Sequence, residues 1–322
     1  MKATIVGFLA IAFISSIDAA ESLLVLSKGD HTLAIVDPSN LKVIAKAPIG
    51  EDPHEVIASS DGKFAYVSNY GGGRYNTLAV VDLVAQKALP SIDLGPLRGA
   101  HGLAFAGGKV WFAAEGAKAV GRYDPAEKKI DWIIGTGQSR THMVMVSQDQ
   151  NRVYTTNIGS ATVTFFDKGA EYREWNATVI PVGKGSEGFD ISPDGRELWT
   201  ANAGDGTVSI IEIASKKVVE TLPANIRTAN RLKFTPDGKL VFISMLNSPE
   251  VAVLDAATRK EIKRIHTGKG AAGIQIQPDG SRVFVSCTPD NYVAMIDPKT
   301  LEIVGRIDAG PHPDGLAWAI QQ

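Results

Sequence analysis

Short apolar stretches separated by turn residues recur along the chain from Leu23 to Ile320, and one of them returns at a steady interval. It is an apolar run closed by an acid: Ala34-Ile35-Val36-Asp37, Leu78-Ala79-Val80-Val81-Asp82, Val120 to Asp124, Val163-Thr164-Phe165-Phe166-Asp167, Val208 to Glu212, Val251 to Asp255 and Val293 to Asp297. The seven acids lie 45, 42, 43, 45, 43 and 42 residues apart. Even spacing of this kind is the mark of a repeat architecture. Because the acid returns in every unit, it reads as a turn residue rather than as part of a site.

Each period holds four such segments. An alternation such as Val56-Ile57-Ala58 leads to a turn, Asp61-Gly62, which reappears as Pro193-Asp194-Gly195, Pro236-Asp237-Gly238 and Pro278-Asp279-Gly280. These are tight-turn residues. A second segment rich in aromatic and β-branched residues follows: Phe64 to Asn69, Val110 to Glu115, Val153 to Asn157, Leu198 to Asn202. The acid-ended run is the third, and a fourth, such as Leu41 to Ile49, follows another turn. Short strands at even spacing predict an all-β fold. Four per period of this length predict a seven-bladed β-propeller with four antiparallel strands per blade. The chain starts, after its first twenty residues, with a second-type strand at Leu23 to Ser27 and ends with a first-type strand at Leu316 to Ile320. Joining the two would complete the seventh blade and close the ring, leaving one propeller domain over residues 20–322.

The beginning of the chain has a different character. Lys2 precedes an apolar run from Ala3 to Ile17, and small residues follow at Ala19 and Ala20. This is the order of a secretory signal, expected to span 1–19 and to be cleaved after Ala19 or Ala20. The run is shorter than a membrane span and stops at Asp18. The mature protein is therefore expected to be periplasmic or secreted, without a membrane span.

Composition adds exclusions. Lys plus Arg (33) nearly balance Asp plus Glu (35), giving a formal charge of −2 and no basic footprint for nucleic acid. With 1 cysteine there is no intramolecular disulfide and no iron–sulfur or zinc-finger ligand set. Cys287, at the end of a second-type strand, reads as a small apolar residue. Gly71-Gly72-Gly73 precedes no helix and so is not a phosphate loop. No Gly-x-Ser-x-Gly nucleophile elbow occurs.

The segments Tyr66-Val67-Ser68-Asn69, Tyr154-Thr155-Thr156-Asn157 and Trp199-Thr200-Ala201-Asn202, placed after turns such as Pro193-Asp194-Gly195, resemble the repeat of the YVTN family of bacterial seven-bladed propellers. The resemblance covers essentially all of the chain after its leader. Proteins with this repeat include surface-layer and periplasmic binding propellers, cofactor-carrying propellers of denitrification enzymes and lactonase-like enzymes. The period from His101-Gly102-Leu103 to Trp111-Phe112-Ala113-Ala114-Glu115 is also similar to streptogramin-lyase repeats. The resemblance implies the fold; function has to come from the site.

In a propeller the first strand of each blade lines the central channel. Aligning the seven strand entries gives His54, His101, His142, Glu187, Asn230, Ala272 and Asp314. Three histidines thus stand on adjacent blades at one height, with His312 two residues before Asp314. Asp52, Arg98 and Arg140 flank the first three entries. Imidazole suits zinc, copper, nickel and iron, and a carboxylate completes many such sites. His54, His101, His142 and Glu187 are therefore the candidate ligands of a divalent transition metal. Without a metal, His101, His142 and Glu187 would supply general acid and base, with His54, Asn230, Asp314, His312 and Arg140 binding the ligand. A narrow channel that simply needs a hydratable lining would give the same residue types.

The rim loop from Asn69 to Asn76, with Tyr70, Arg74 and Tyr75 around the glycines, opens on the same face. Its Tyr and Arg suit stacking or an anionic ligand, and a flexible glycine tip would read the same way. Glu115, Asn157, Asn202, His31, Asn247 and Asp290 occupy the equivalent loop mouths, where Asn commonly caps a turn. Two functions remain open. One is an exported propeller holding a small ligand or metal at the channel mouth, with metal-assisted hydrolysis or elimination as its chemistry. The other is a non-catalytic scaffold for a protein or cell-envelope partner. A monomer is expected in either case.

Overall fold

The computed structural model describes residues 20–171 and 174–322, and the leader expected over 1–19 lies outside the described residues. Within them the chain forms seven four-stranded antiparallel sheets arranged as the blades of a ring. We number the blades in ring order, starting from the one that holds Glu21–Ser27. That strand pairs with Pro313–Ile320, setting Leu23 opposite Trp318 and Val25 opposite Leu316. The last strand thus becomes the inner strand of blade 1, as the chain ends predicted, and its pairing covers an edge that would otherwise stay open.

The unbroken apolar runs have a simple cause. The middle strands of each blade are buried on both faces, because a neighbouring blade packs on either side. In Thr32–Asp37, alternate residues go to opposite interfaces. Leu33 and Ile35 join Val56, Val67 and Val81 of blade 2, whereas Ala34 and Val36 join Phe284 and Val293 of blade 7. The outer strands, such as Lys42–Pro48, have one exposed face and alternate accordingly.

The recurring acid is a turn residue, as its periodicity implied. Asp37 accepts the Ser39 amide at 2.9 Å, Asp82 the Ala85 amide at 2.8 Å, and Asp255 the Thr258 amide at 2.7 Å. No helix among the described residues is long and apolar enough to cross a membrane.

The inner strands run as Pro53–Ala58, Ala100–Ala106, Thr141–Val146, Ser186–Ile191, Ala229–Phe234 and Ala271–Ile276 in blades 2 to 7. Their crowding around the axis explains four glycines. A Cβ on Gly273 would lie 2.2 Å from the Asp314 carbonyl oxygen, and one on Gly188 would lie 2.5 Å from that of Asn230. Gly102 and Gly315 face similar backbone contacts at 2.6 Å and 2.4 Å. These contacts are with rigid backbone of the next blade, so a methyl group there would force the blades apart.

Candidate functional site at the channel mouth

Each of these glycines follows a strand-entry residue, and the entries are held level by hydroxyls of the second strands. Thr156 donates to the Glu187 carbonyl at 2.8 Å, Ser244 to that of Ala272 at 2.5 Å, and Ser286 to that of Asp314 at 2.6 Å. In each case the hydroxyl belongs to one blade and the carbonyl to the next. Hydroxyls at this position also accept an amide from their own inner strand, as Ser68 does from Glu55 at 3.0 Å and Ser244 from Arg231 at 3.1 Å. The small hydroxyl residue before the strand-ending position is therefore a register clamp between blades. The Asn beside it caps the loop instead: Asn69 donates to the Ile49 and Glu51 carbonyls at 2.9 and 3.0 Å.

With the entries level, six of the seven side chains connect into one arc. Asp314 accepts from Lys28 at 3.0 Å, and Lys28 in turn donates to Nε2 of His54 at 2.8 Å. The His54 and His101 rings follow with centroids 5.2 Å apart, and the His101 and His142 rings lie 3.6 Å apart at 30°. His142 places Nδ1 2.8 Å from Glu115 and Nε2 2.9 Å from Glu187. Asn230 closes the arc, donating to Glu187 at 3.3 Å. Ala272 supplies only a methyl group and leaves the seventh place unfilled by polar atoms. Tyr70 leans over the histidines, its ring 4.8 Å from His54 and 5.0 Å from His101. Its hydroxyl donates to Glu115 at 2.8 Å, and Arg140 donates to the same oxygen at 3.1 Å.

Two polar atoms of this arc have no hydrogen-bond partner among the described residues, Nδ1 of His101 and Oδ1 of Asn230. Both are buried, with His101 2% exposed and Asn230 7% exposed. Buried polar atoms are seldom left unpaired, because desolvation costs about 1–3 kcal/mol each.

The electrostatics separate the two stacked imidazoles. Burial disfavours a charge on His142, but Glu187 and Glu115 override it and push its pKa up to about 9. Glu115 is likewise buried, yet hydrogen bonds from His142 and Tyr70 with the charge of Arg140 bring it down to about 2. His101 is driven the other way, first by burial and then by the positive charge of His142, well below the usual histidine range. His54 is also lowered, by burial and by Lys28, against the opposing pull of Asp314. At neutral pH one imidazolium is thus stacked on a neutral imidazole.

This arrangement has a measurable consequence. A base with a raised folded-state pKa stabilises the fold fully below its unfolded value of about 6.5 and loses that contribution as pH rises through 9. His54 and His101 are neutral in both states above that unfolded value, so they do not contribute in this window. Denaturant melts between pH 6.5 and 9 are expected to show stability falling by on the order of 2 kcal/mol. A His142→Gln variant should flatten the slope, and an unchanged slope would contradict the assignment.

Below the arc the channel is crossed by an ion pair. Glu55 of blade 2 and Arg231 of blade 6 each follow an entry residue, where four other blades have glycine. Arg231 donates through Nη2 to Glu55 and through Nη1 to the Asn230 carbonyl at 3.0 Å, with Glu187 3.6 Å away. Burial lowers the guanidinium to about 10, where it remains charged. Beneath the pair is a cavity of about 370 Å³, lined by Met143, Met145, Phe189 and Trp318.

The other expected residues fall outside the arc. His312 is exposed, in a left-handed turn (φ 52°), with its amide on Asn291 at 2.9 Å. Arg74 is exposed and donates to the carbonyl of Gly71 in its own loop at 3.1 Å. Lys28, Glu55 and Arg231 belong to the site and were not among the expected residues. Glu115 was placed at a loop mouth with no role.

The site defines the class: a seven-bladed β-propeller whose channel mouth is ringed by histidines and carboxylates. Residues 119–276 match the YNCE-like beta-propeller family model, and the same blade continues on both sides of that segment, which bears out the resemblance to propellers of the YVTN repeat type. No curated protein sequence matches the chain. Similar solved structures include a functionally unknown protein from Desulfotomaculum acetoxidans, at 13% identity and TM-score 0.77, covering 93% of this chain and 98% of that one. A protein from Bacteroides uniformis described as a candidate 6-phosphogluconolactonase shares 14% identity at TM-score 0.74, covering 94% and 100%. Kuenenia stuttgartiensis hydrazine synthase shares 19% at TM-score 0.71, covering 90% and 99%. At these identities the likeness concerns the fold.

Proposed function

We propose that this is an exported propeller whose channel mouth binds a small polar molecule and acts on it by general acid–base chemistry. The observation that carries the reading is the pair of buried, unpartnered atoms, Nδ1 of His101 and Oδ1 of Asn230, in an arc where the neighbouring polar groups are bonded. A ligand bearing one donor and one acceptor would complete both. His142, with both N–H groups on carboxylates, fixes a positive charge beside the site, and neutral His101 is the group left to take a proton. Hydrolysis or elimination on a compact ester or lactone would use such a base.

The metal version of the site, with zinc, copper, nickel or iron on His54, His101, His142 and Glu187, fits this arrangement poorly. Among the described residues no three ligand side chains converge as a metal would require. Both nitrogens of His142 are taken by carboxylates, and Nε2 of His54 is taken by Lys28. No step is therefore assigned to a metal.

Untagged protein, examined by native mass spectrometry and elemental analysis with a panel of small esters and lactones, tests the reading. One bound molecule per chain or turnover is expected, weakened at least tenfold in His101→Ala. Stoichiometric transition metal that is lost in that variant would replace this reading with the metal one. No adduct and no turnover, with partner binding lost on changing Tyr75 or Arg74, would make the protein a scaffold.

A further inference from the structure

A cavity of about 750 Å³ opens between blades 2 and 3, walled by Phe64, Tyr66, Leu89, Ile92, Phe105 and Tyr123. It reaches the turn at Ser59–Asp61, beyond the end of the inner strand that begins beside His54, and so lies toward the opposite face of the ring. The equivalent interface between blades 5 and 6 packs Trp199 against Phe234, centroids 5.3 Å apart, and its cleft of about 660 Å³ is rimmed by the charged residues Asp194, Arg196, Glu197 and Arg259. Between blades 2 and 3, Pro90 interrupts the outer strand of blade 2 within a register shift, and the cleft is walled by Phe64, Leu89, Ile92 and Tyr123 rather than by charged side chains. Proline has no amide hydrogen to pair with the neighbouring strand.

We propose that this cleft is a second small-molecule site, for a planar aromatic molecule carrying a hydroxyl. Tyr66 and Phe105 lie nearly parallel, 18° apart with centroids 6.0 Å apart, and present a stepped aromatic wall suited to stacking. The volume falls in the range of small-ligand pockets, roughly 300–1,000 Å³. Tyr66 lines the cleft and its hydroxyl is not one of the buried unpaired atoms of the described residues, so it opens on the cleft rather than being sealed in the core. Burial and the nearby Tyr123 push this phenol up to about 12, so it stays a donor. The carboxylates at the rim are already engaged, Asp61 by the Ser59 hydroxyl at 2.6 Å and Asp93 by Asn76 at 2.8 Å. The cleft therefore offers a phenolic donor and aromatic surface, and its rim carboxylates are occupied.

Fluorescence titration with 2-naphthol tests the site. Saturable binding with a Kd below about 1 mM is expected, the affinity at which roughly 4 kcal/mol of binding energy is realised. Leu89→Trp, which fills the cleft, should weaken binding at least tenfold, and Tyr66→Phe about three- to tenfold, the worth of one neutral hydrogen bond. His101→Ala should bind 2-naphthol like the parent, which separates this cleft from the channel mouth. If Leu89→Trp does not fold, Tyr66→Phe decides. No saturation, or parental affinity in the cleft variants, overturns the proposal.

Discussion

Replacing Glu55 by Gln is expected to destabilise the propeller by about 3 kcal/mol, because it leaves Arg231 charged and buried without its main partner. The guanidinium is held inside the channel by its backbone, and burial alone brings it only to about 10, so it cannot escape by losing its proton at neutral pH. Glu187, 3.6 Å away, and the Asn230 carbonyl offset part of the loss, which places the cost toward the low end for a broken buried pair. For a chain of this size that corresponds to a melting temperature lower by roughly 4–6 °C. A Glu55→Met, Arg231→Met double variant should recover most of it, since apolar replacement of a whole buried pair is often neutral or stabilising. Thermal melts of the three proteins decide. If the double variant is as unstable as the single, the pair is not what matters at this level of the channel.

Glu115→Gln is expected to give the second large effect. Its carboxylate accepts from His142, Tyr70 and Arg140 together, and its own pKa of about 2 reflects those bonds. The amide keeps the shape but loses the charge. The His142 pKa should then fall, with Glu187 left as its only carboxylate partner, and ligand binding or turnover should drop more than tenfold. A stability loss of roughly 2–3 kcal/mol at pH 7 is expected from the charged hydrogen bonds given up. Tyr70→Phe, which removes only one of them, should cost about 1 kcal/mol and leave the His142 pKa raised. Equal ligand affinity in Glu115→Gln and the parent protein would place the site elsewhere.

The fold was legible because burial on both faces of the middle strands leaves an unbroken apolar run, and the turn acid marks its end in each blade. The arc was legible for the same reason: a repeat allows any residue at the strand entry, so His54, His101 and His142 stand out against Ala272. Alignment gave their height, whereas the order in which side chains bond depends on rotamers and could not be read from it. Thus His142, rather than all three histidines, became the charged member, and the carboxylate that fixes it came from the loop residue Glu115. Lys28 was missed because it follows the first strand and enters the arc only when the chain ends meet. Glu55 and Arg231 did leave a signal. They interrupt the glycines Gly102, Gly188, Gly273 and Gly315 that follow four of the five other entries, and a charged residue in a place of backbone crowding is worth a partner search. His312 was drawn in by sequence proximity to Asp314, but the left-handed turn carries it away from the channel.

The account depends on a charged imidazole lying against an uncharged one at the channel mouth. With 6 histidines in the chain, nitrogen-15 NMR of histidine-labelled protein at pH 7 can read each ring directly. The account predicts one ring protonated on both nitrogens, assigned to His142 by its loss in His142→Gln, with His54 and His101 neutral and failing to titrate near pH 6.5. Finding His142 neutral at pH 7, or all three rings titrating together near 6.5, would contradict it.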